Sequence, residues 1–311
     1  MIRTAACFSL ALALPAGAFE LFLPVDCTLG DTCYIQNYSD HDPGPAASDF
    51  TCGPLSYDGH DGTDFALPTR AAMEAGVAVL AAAPGKVLRL RDGVPDFAAA
   101  TPNQECGNGL VIDHGEGWET QYCHLKQGSL LIKPGDEVVA GTPLGQIGQS
   151  GQADFPHLHL TVRQNGRKVD PFAPDAPACG APGEDLWADD LLTEPGGLLD
   201  IGITTAVPEF DAIKSGLASP DLSRTAPALV LWVRTFGQRS GDELLLTLSG
   251  PEGAVISEAI PLEKTQAMAF RAIGRKLKTE GWPPGIYTGT ASLLRFGQEL
   301  DRLQISVTVT P

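Results

Sequence analysis

The sequence contains no apolar run long enough to span a membrane as a helix, which requires about 20 residues. The longest candidate is N-terminal, where Met-Ile-Arg-Thr precedes a short apolar stretch and then small residues. A positive start, a short apolar core and the small residues Ala16 and Ala18 indicate a secretory signal peptide over residues 1–18. We therefore expect an exported protein without a membrane span, periplasmic or, alternatively, extracellular.

Positive charge is also scarce, with 21 Lys and Arg against 38 Asp and Glu and a formal net charge of −17. Nucleic acids and anionic lipids attract basic surfaces. The acidic balance therefore argues against nucleic acid as a partner and against adhesion to lipid or wall polymer by bulk charge. Recruitment to a substrate would have to come from a groove or a binding module.

None of the cysteines has the C-x-x-C spacing typical of a metal site. Without Cys7 of the signal peptide, six cysteines remain, and an even number in an exported chain predicts up to three disulfides. Segments 107–113 and 120–123 flank His114-Gly115-Glu116-Gly117, a strong hairpin signal. That hairpin brings Cys106 and Cys123 close together, and a bridge between them would brace the strand that carries His124. The other pairings stay open.

The pattern of short strands and Gly/Pro turns predicts an all-β chain with two domains. Residues 57–175 form the first predicted domain, preceded by a disulfide-rich surface arm over residues 19–56. A Pro-, Ala- and Gly-rich linker follows over residues 176–200, and Cys179 is a candidate for tying its start back to the arm. Residues 201–311 have strands at the spacing of an immunoglobulin-like β-sandwich.

The second predicted domain contains no histidine and no cysteine. Chemistry is therefore not expected there. We interpret this domain as a structural or binding module, with a protein partner as one candidate ligand.

Four of the six histidines fall in three segments of the first domain. His60 and Asp64 lie four residues apart across a Gly-containing turn, and His124 lies in a strand-like segment. His157 and His159 alternate with leucines, so on a strand both imidazoles would project from one face. Two imidazoles and a carboxylate are a familiar catalytic zinc set with one position open. The remaining histidines, His41 and His114, are better interpreted as structural.

These three segments resemble the signatures of the lysostaphin-type (LytM-like) zinc metallopeptidases. The resemblance is carried by His60-x-Gly62-x-Asp64, by Tyr122-x-His124-Leu125, and by Gly151 leading into Pro156-His157-Leu158-His159. It covers residues 57–172, and it implies an antiparallel, barrel-like β-sheet domain with one zinc ion per chain.

Position by position, the resemblance implies that His60, Asp64 and His159 bind zinc and that His124 and His157 are catalytic without binding it. A zinc site of this kind lowers the pKa of bound water to about 7. A neighbouring histidine can then accept and pass on a proton. Tyr57 and Tyr122 are candidate donors to the oxyanion, Tyr122 because alternation would place it on the same face as His124.

The family cuts peptide bonds in bacterial peptidoglycan, so the resemblance implies an exported zinc endopeptidase acting on cross-links or stem peptides. One alternative is a non-catalytic wall-binding or regulatory protein that retains the fold. Such relatives generally lack one or more ligands, whereas all five positions are filled here. Another alternative is an exported protease that acts on proteins, because the motifs describe the metal and not the substrate.

Overall fold

The computed structural model describes residues 18–99, 101–216 and 222–310. The predicted signal peptide therefore lies outside the described residues, apart from its last residue. Strands dominate the described part of the chain, so the all-β prediction is confirmed. Within the same ranges, no helix combines the length and the apolar character that a membrane crossing requires.

The first half of the chain is built around one large antiparallel sheet. Its elements are β1 (Tyr34–Asn37), β2 (Thr63–Ala66), α1 (Arg70–Ala75), β3 (Ala78–Leu80), β4 (Gly85–Arg91), β5 (Asn108–Gly115), β6 (Trp118–Leu125), β7 (Glu137–Val138), β8 (Pro143–Gln146), β9 (His157–Gln164) and β10 (Arg167–Val169). The strand order is β1-β2-β9-β6-β5-β4-β7, with β10 paired to β9, while β3 and β8 pair separately. Strands β2, β9 and β6 are consequently neighbours at the centre of the sheet.

Alternation along β9 gives the central sheet two chemically different faces. Leu158, Leu160 and Val162 are fully buried and belong to the first hydrophobic core. Burial of each such side chain contributes about 1.5–3 kcal/mol. The intervening residues, including His157 and His159, project from the opposite face. The apolar face thus anchors the strand while the polar face is available for a site.

The N-terminal arm is more than a surface appendage, and the expectation of a disulfide-pinned surface arm is corrected in this respect. Strand β1 is the edge strand of the main sheet, with Tyr34 and Ile35 each 3% exposed. The strand has only four residues, Tyr-Ile-Gln-Asn, which is too short a segment to recognise in a cysteine-rich, turn-rich context. Pairing with β2 is what buries it.

Three disulfides are present in the described residues, and all six cysteines there take part. They are Cys27–Cys33, Cys52–Cys179 and Cys106–Cys123. The second ties the arm to the start of the predicted linker, and the third joins the β5–β6 region at the polar face of the sheet.

The second half of the chain forms two sheets over a common core. Its elements are β11 (Gly197–Thr204), α2 (Phe210–Gly216), β12 (Leu222–Ser223), β13 (Ala228–Gln238), β14 (Glu243–Gly250), β15 (Gly253–Pro261), β16 (Gln266–Lys276), β17 (Gly285–Arg295) and β18 (Gln298–Thr310). The sheets have the orders β11-β13-β16 and β12-β18-β17-β14-β15. Leucines of both sheets meet in the second hydrophobic core, which gives a β-sandwich.

The predicted linker over residues 176–200 differs from the structure in two respects. Strand β11 begins at Gly197, inside the range 176–200, and Trp187 is only 8% exposed and packs in the first core. The abundance of Pro, Ala and Gly concealed both features. The two halves also contact each other directly, since the rings of Tyr34 and Phe236 lie 4.7 Å apart.

Candidate metal centre and active-site groove

Three side chains of the predicted zinc set converge in the structure. Asp64 on β2 lies directly opposite His159 on β9, and His60 lies in the turn that leads into β2. Nε2 of His60 is 3.2 Å from Oδ1 of Asp64 and 3.1 Å from Nδ1 of His159. The third side of the triangle, from Nδ1 of His159 to Oδ1 of Asp64, measures 2.8 Å. These residues form a group that could hold a metal ion.

The outer nitrogen of each of these imidazoles has a partner of its own. Nδ1 of His60 donates to the carbonyl oxygen of Tyr38 at 2.7 Å. Because a carbonyl can only accept, His60 keeps its proton on Nδ1 and presents the Nε2 lone pair to the centre. Nε2 of His159 lies 3.2 Å from Oδ1 of Asp61, a partner that likewise directs Nδ1 of His159 inward.

A cation fits this arrangement. Two nitrogen lone pairs and a carboxylate oxygen converge, and such acceptors repel one another unless a proton or a cation lies between them. Nitrogen and oxygen ligands of a tetrahedral zinc ion lie roughly 3.3–3.6 Å apart. The observed separations of 2.8–3.2 Å are close to that spacing. The donor set of two histidines and one carboxylate is also that of catalytic zinc sites with an open position.

The surroundings keep the Asp64 carboxyl ionised. Its second oxygen, Oδ2, accepts a hydrogen bond of 2.8 Å from Nδ2 of Asn37. Burial opposes ionisation, but the imidazoles of His157, His60 and His159 outweigh it and hold the pKa of Asp64 well below its usual range. Asp64 is therefore a carboxylate, as a zinc ligand must be.

The carboxylates of Asp61 and Asp64 both raise the pKa of His159. Burial lowers the pKa of His159, but hydrogen bonds to Asp61 and Asp64 outweigh burial and raise the pKa to about 9. The carboxylates thus attract positive charge to this position, supplied by a proton when no metal is bound. Metal binding at Nδ1 would displace that proton.

Close packing around the site explains Gly62. A Cβ at this position would lie 2.5 Å from the carbonyl oxygen of Leu160 and 2.7 Å from Nε2 of His159. Any side chain would therefore push β9 or the His159 ring away. The glycine of the His-x-Gly-x-Asp segment is needed for this close approach.

His124 reaches the same face through a local irregularity in β6. The β5–β6 register shifts between Asn108 and Leu110, and His124 itself has φ +65°, a left-handed conformation that is uncommon for a residue with a side chain. Its N–H donates to the carbonyl of Cys106 at 2.8 Å, and its Nδ1 donates to the carbonyl of Ser150 at 2.8 Å. The Nε2 lone pair of His124 is therefore directed toward the site.

The same irregularity overturns the expectation for Tyr122. Tyr122 is fully buried, and its hydroxyl accepts a hydrogen bond of 2.8 Å from the N–H of Ala82 in the core. Its cross-strand partner is Leu160 of the apolar face, whereas Cys123 lies opposite His159 on the site face. Regular alternation would put Tyr122 and His124 on one face, but the left-handed residue breaks the alternation. Tyr122 is therefore not a donor to the site.

His157 stands beside the three converging residues. Its Nδ1 donates to the carbonyl of Phe155 at 2.8 Å, and its Nε2 is 3.5 Å from Oδ1 of Asp64. The His157 and His124 ring centroids are 4.6 Å apart. Burial is the main cause that lowers the pKa of His157, and burial together with the His157 and His159 imidazoles lowers the pKa of His124 to about 3. Both are therefore neutral bases near pH 7.

The site opens into a groove on the polar face of the sheet, which we call the active-site groove. It is a cavity of about 250 Å³ whose lining includes Tyr57, His124, His159 and the Cys106–Cys123 disulfide. Tyr57 is 54% exposed, and its ring centroid lies 4.4 Å from that of His60. Of the two tyrosines considered from the sequence, only Tyr57 is at the site.

Several residues that support the site were not identified from the sequence. Asn37 holds Asp64, Asp61 holds His159, and the carbonyl of Ser150 holds His124. Asp61 could have been noticed as a second carboxylate inside the His60–Asp64 segment. The other two carry no local signal, because they come from distant parts of the chain.

The group that could hold a metal ion does not include either of the two histidines interpreted as structural. His41 is paired with Asp170, with 2.7 Å between Nε2 and Oδ2. His114 is held between the carbonyl of Pro84 and the hydroxyl of Thr120.

A buried centre of two histidines and an aspartate, with two more histidines beside it and a groove that opens next to it, has the residues expected of a metallopeptidase site. Residues 58–171 match the family model described as "Peptidase family M23", so the chain contains an M23 peptidase domain. This confirms the resemblance to lysostaphin-type peptidases.

Relatives match the same part of the chain. Over 118 residues it is 34% identical to "Peptidoglycan DD-endopeptidase ShyB" of Vibrio cholerae, covering 38% of this chain and 24% of the relative. Over 114 residues it is 33% identical to "DD-carboxypeptidase/endopeptidase Mpg" of Neisseria meningitidis, covering 37% of this chain and 22% of the relative. The chain thus spans less than a quarter of the length of these relatives.

Among solved structures, the chain is similar to a zinc-containing peptidase from Vibrio cholerae, with 29% identity and a TM-score of 0.30 over 43% of this chain and 38% of the other. It is also similar to the catalytic domain of lysostaphin from Staphylococcus simulans, with 24% identity and a TM-score of 0.29 over 43% of this chain and 85% of the other.

Proposed function

We propose that this protein is an exported, zinc-dependent endopeptidase that hydrolyses peptide bonds in bacterial peptidoglycan, with one zinc ion per chain. The observation that carries the proposal is the convergence of His60, Asp64 and His159 within an M23 domain, with 2.8–3.2 Å between their inward atoms. Zinc is the metal that this donor set favours.

In the proposed reaction, His60, Asp64 and His159 hold the zinc ion. When bound, zinc supplies a nucleophile at neutral pH and polarises the peptide carbonyl. Asn37 and Asp61 keep two of the three ligands oriented through their outer atoms. Loss of either support would loosen the centre without removing a ligand.

His124 and His157 are the proposed proton carriers. Each donates its Nδ1 proton to a backbone carbonyl, so each keeps an unprotonated Nε2 beside the metal centre. Such a nitrogen can accept a proton from the attacking water and pass it to the leaving amine. In the protonated form it can donate a hydrogen bond to the oxyanion that develops on the peptide. The exposed hydroxyl of Tyr57 is a further candidate donor.

We infer the substrate class from the relatives that match this chain. Two of them are called peptidoglycan DD-endopeptidase and DD-carboxypeptidase/endopeptidase, and they match the part of the chain that carries the site. We extend peptidoglycan to this chain as its substrate on that basis.

Export is proposed from the predicted signal peptide and from the three disulfides, which form in oxidising compartments. The periplasm is the preferred location, with the extracellular medium as the alternative. The C-terminal sandwich is the proposed site for a protein partner.

Incubation of the mature protein with purified peptidoglycan sacculi tests the proposal. Zinc-loaded and chelator-treated samples are compared, and the released fragments are identified by mass spectrometry. We expect a zinc-dependent loss of cross-linked fragments. The masses of the released fragments would identify the bond that is cut. Intact sacculi with a protein shown to hold zinc would contradict the proposal and favour a wall-binding or regulatory role.

A further inference from the structure

Arg163 lines the active-site groove and has no counter-ion within the described part of the chain. It lies on β9 two alternations beyond His159, so both side chains project from the same face of the sheet. Both also line the same cavity. Nη1 of Arg163 is buried and has no hydrogen-bond partner, and among the described residues Arg163 makes no ion pair. A buried donor without an acceptor is unfavourable, so a ligand that supplies one would be stabilised here.

The acidic side chains near Arg163 do not act as its counter-ion. Glu119 is the cross-strand neighbour of Arg163 on β6 but does not approach it closely enough to form an ion pair. Within the cavity, Asp61 is already bound to His159 and Lys168, and Glu105 accepts from the N–H of Asn103. The positive charge of Arg163 is thus left for a bound molecule, although the chain as a whole has a net charge of −17.

The groove continues in the direction of further arginines. A second cavity of about 170 Å³ shares Cys106 and Gln121 with the active-site groove, and its lining includes Arg89 and Arg91. Two further cations thus lie in a cavity next to the active-site groove.

We propose that Arg163 forms a subsite for a free carboxylate of the bound peptide, and that this subsite selects acidic peptides for the reaction. The inference rests on the proposed function, because it concerns the substrate of the same site. A guanidinium group suits a carboxylate through two parallel hydrogen bonds, which an ammonium group cannot provide. Peptidoglycan stem peptides carry carboxylates of this kind.

The strand geometry limits where the carboxylate can be. Arg163 follows His159 by four positions on β9, which corresponds to about 13 Å along the strand. An extended peptide covers that distance in about four residues. For an extended peptide, the Arg163 side chain and the carboxyl-bearing side chain bridge part of this distance, so the recognised carboxylate lies within about four residues of the bond that is cut and is not part of the reacting group.

Equilibrium binding to the full mature chain tests the subsite separately from catalysis. The probe is the synthetic pentapeptide L-Ala-D-Glu-L-Lys-D-Ala-D-Ala, compared with forms amidated at the D-Glu carboxylate or at the C-terminus. Calorimetric titration uses chelator-treated protein so that no peptide is cleaved. We expect amidation of the carboxylate that Arg163 binds to raise the dissociation constant by about 10- to 100-fold, because a hydrogen bond to a charged group is lost. Amidation of the other carboxylate should have little effect.

Variants assign the effect to Arg163. Arg163→Gln should bind the free and amidated peptides equally, and Arg163→Lys should recover only part of the preference. The matched control is Arg167→Gln, an exposed arginine on the adjacent strand β10, which should behave as wild type. Thermal unfolding of each variant establishes that it is folded.

Two outcomes would overturn the subsite. One is a preference for the free carboxylate that survives in folded Arg163→Gln, and the other is a wild-type protein that binds all forms equally or binds none. Neither outcome decides whether the protein is an endopeptidase, since the sacculus digestion answers that question with zinc-loaded protein. Cleaved sacculi together with no carboxylate preference would reject this inference alone.

Discussion

Replacement of Asn37 by alanine should weaken zinc binding without removing a ligand. Asn37 is 7% exposed, lies opposite Asp64 in the sheet, and donates to Oδ2 of Asp64 at 2.8 Å. A hydrogen bond to a charged group contributes about 1.5–3 kcal/mol. Since each 1.4 kcal/mol is about a factor of ten, the expected loss of zinc affinity is about 10- to 100-fold.

The affinity is measured by competition with a chromophoric chelator at pH 7. Gln36→Ala is the matched control, because Gln36 lies on the same strand but its side-chain amide donates to the carbonyl of Ala267 in the other half of the chain. It should keep the wild-type zinc affinity. A folded Asn37→Ala protein that binds zinc as tightly as wild type would refute the view that Asn37 orients the metal ligand.

Three further predictions follow from the site and its surroundings. His159→Ala should lose both zinc and peptidase activity, whereas His157→Ala should lose activity and keep zinc, as measured by metal analysis and muropeptide release. Gly62→Ala should lower zinc affinity, because its Cβ would lie 2.7 Å from Nε2 of His159. The hydrogen bond to Asp170 outweighs burial and raises the pKa of His41, so the stabilisation from this pair should be complete below the unfolded pKa of about 6.5 and be lost as pH rises through the folded value. Denaturant unfolding at a series of pH values would detect that loss, and His41→Gln should abolish it.

For each of these three predictions, a specific experimental result would contradict the reasoning. Normal cleavage by His157→Ala would show that the two histidines of β9 have been given the wrong roles. For the glycine, Gly183→Ala is the control, since a Cβ there meets nothing within 4 Å. Equal zinc affinities of the two alanine variants would contradict the packing argument. A pH dependence of stability that is unchanged in His41→Gln would assign the effect to another group.

The core of the site could be predicted from short-range sequence patterns. The His60–Asp64 spacing lies within one turn, and the alternation of His157 and His159 with buried leucines is a property of a single strand. Such patterns depend on local geometry, which neighbouring residues largely determine. The convergence of His60, Asp64 and His159 agrees with the predicted zinc set, while their role in binding zinc stays a prediction.

The errors arose where one strand departs from regular geometry or where distant segments meet. Alternation placed Tyr122 beside His124, but the left-handed backbone of His124 turned the tyrosine into the core. The range 176–200 was predicted as a linker, yet it contains buried Trp187 and the start of β11. Composition cannot reveal these features, because burial depends on the segment that covers a residue.

The sequence by itself determined the all-β class, the likeness to a peptidase family and the identities of the residues at the centre. These properties reside in periodicity and in short motifs, and therefore in neighbours along the chain. Only the tertiary structure decided which partners hold those residues, namely Asn37 on Asp64, Asp61 on His159 and Ser150 on His124. It also decided that Arg163 has no counter-ion among the residues that the structure describes. Hydrogen bonds and uncompensated charges depend on distances across the sheet, and those distances exist only once the strands have paired.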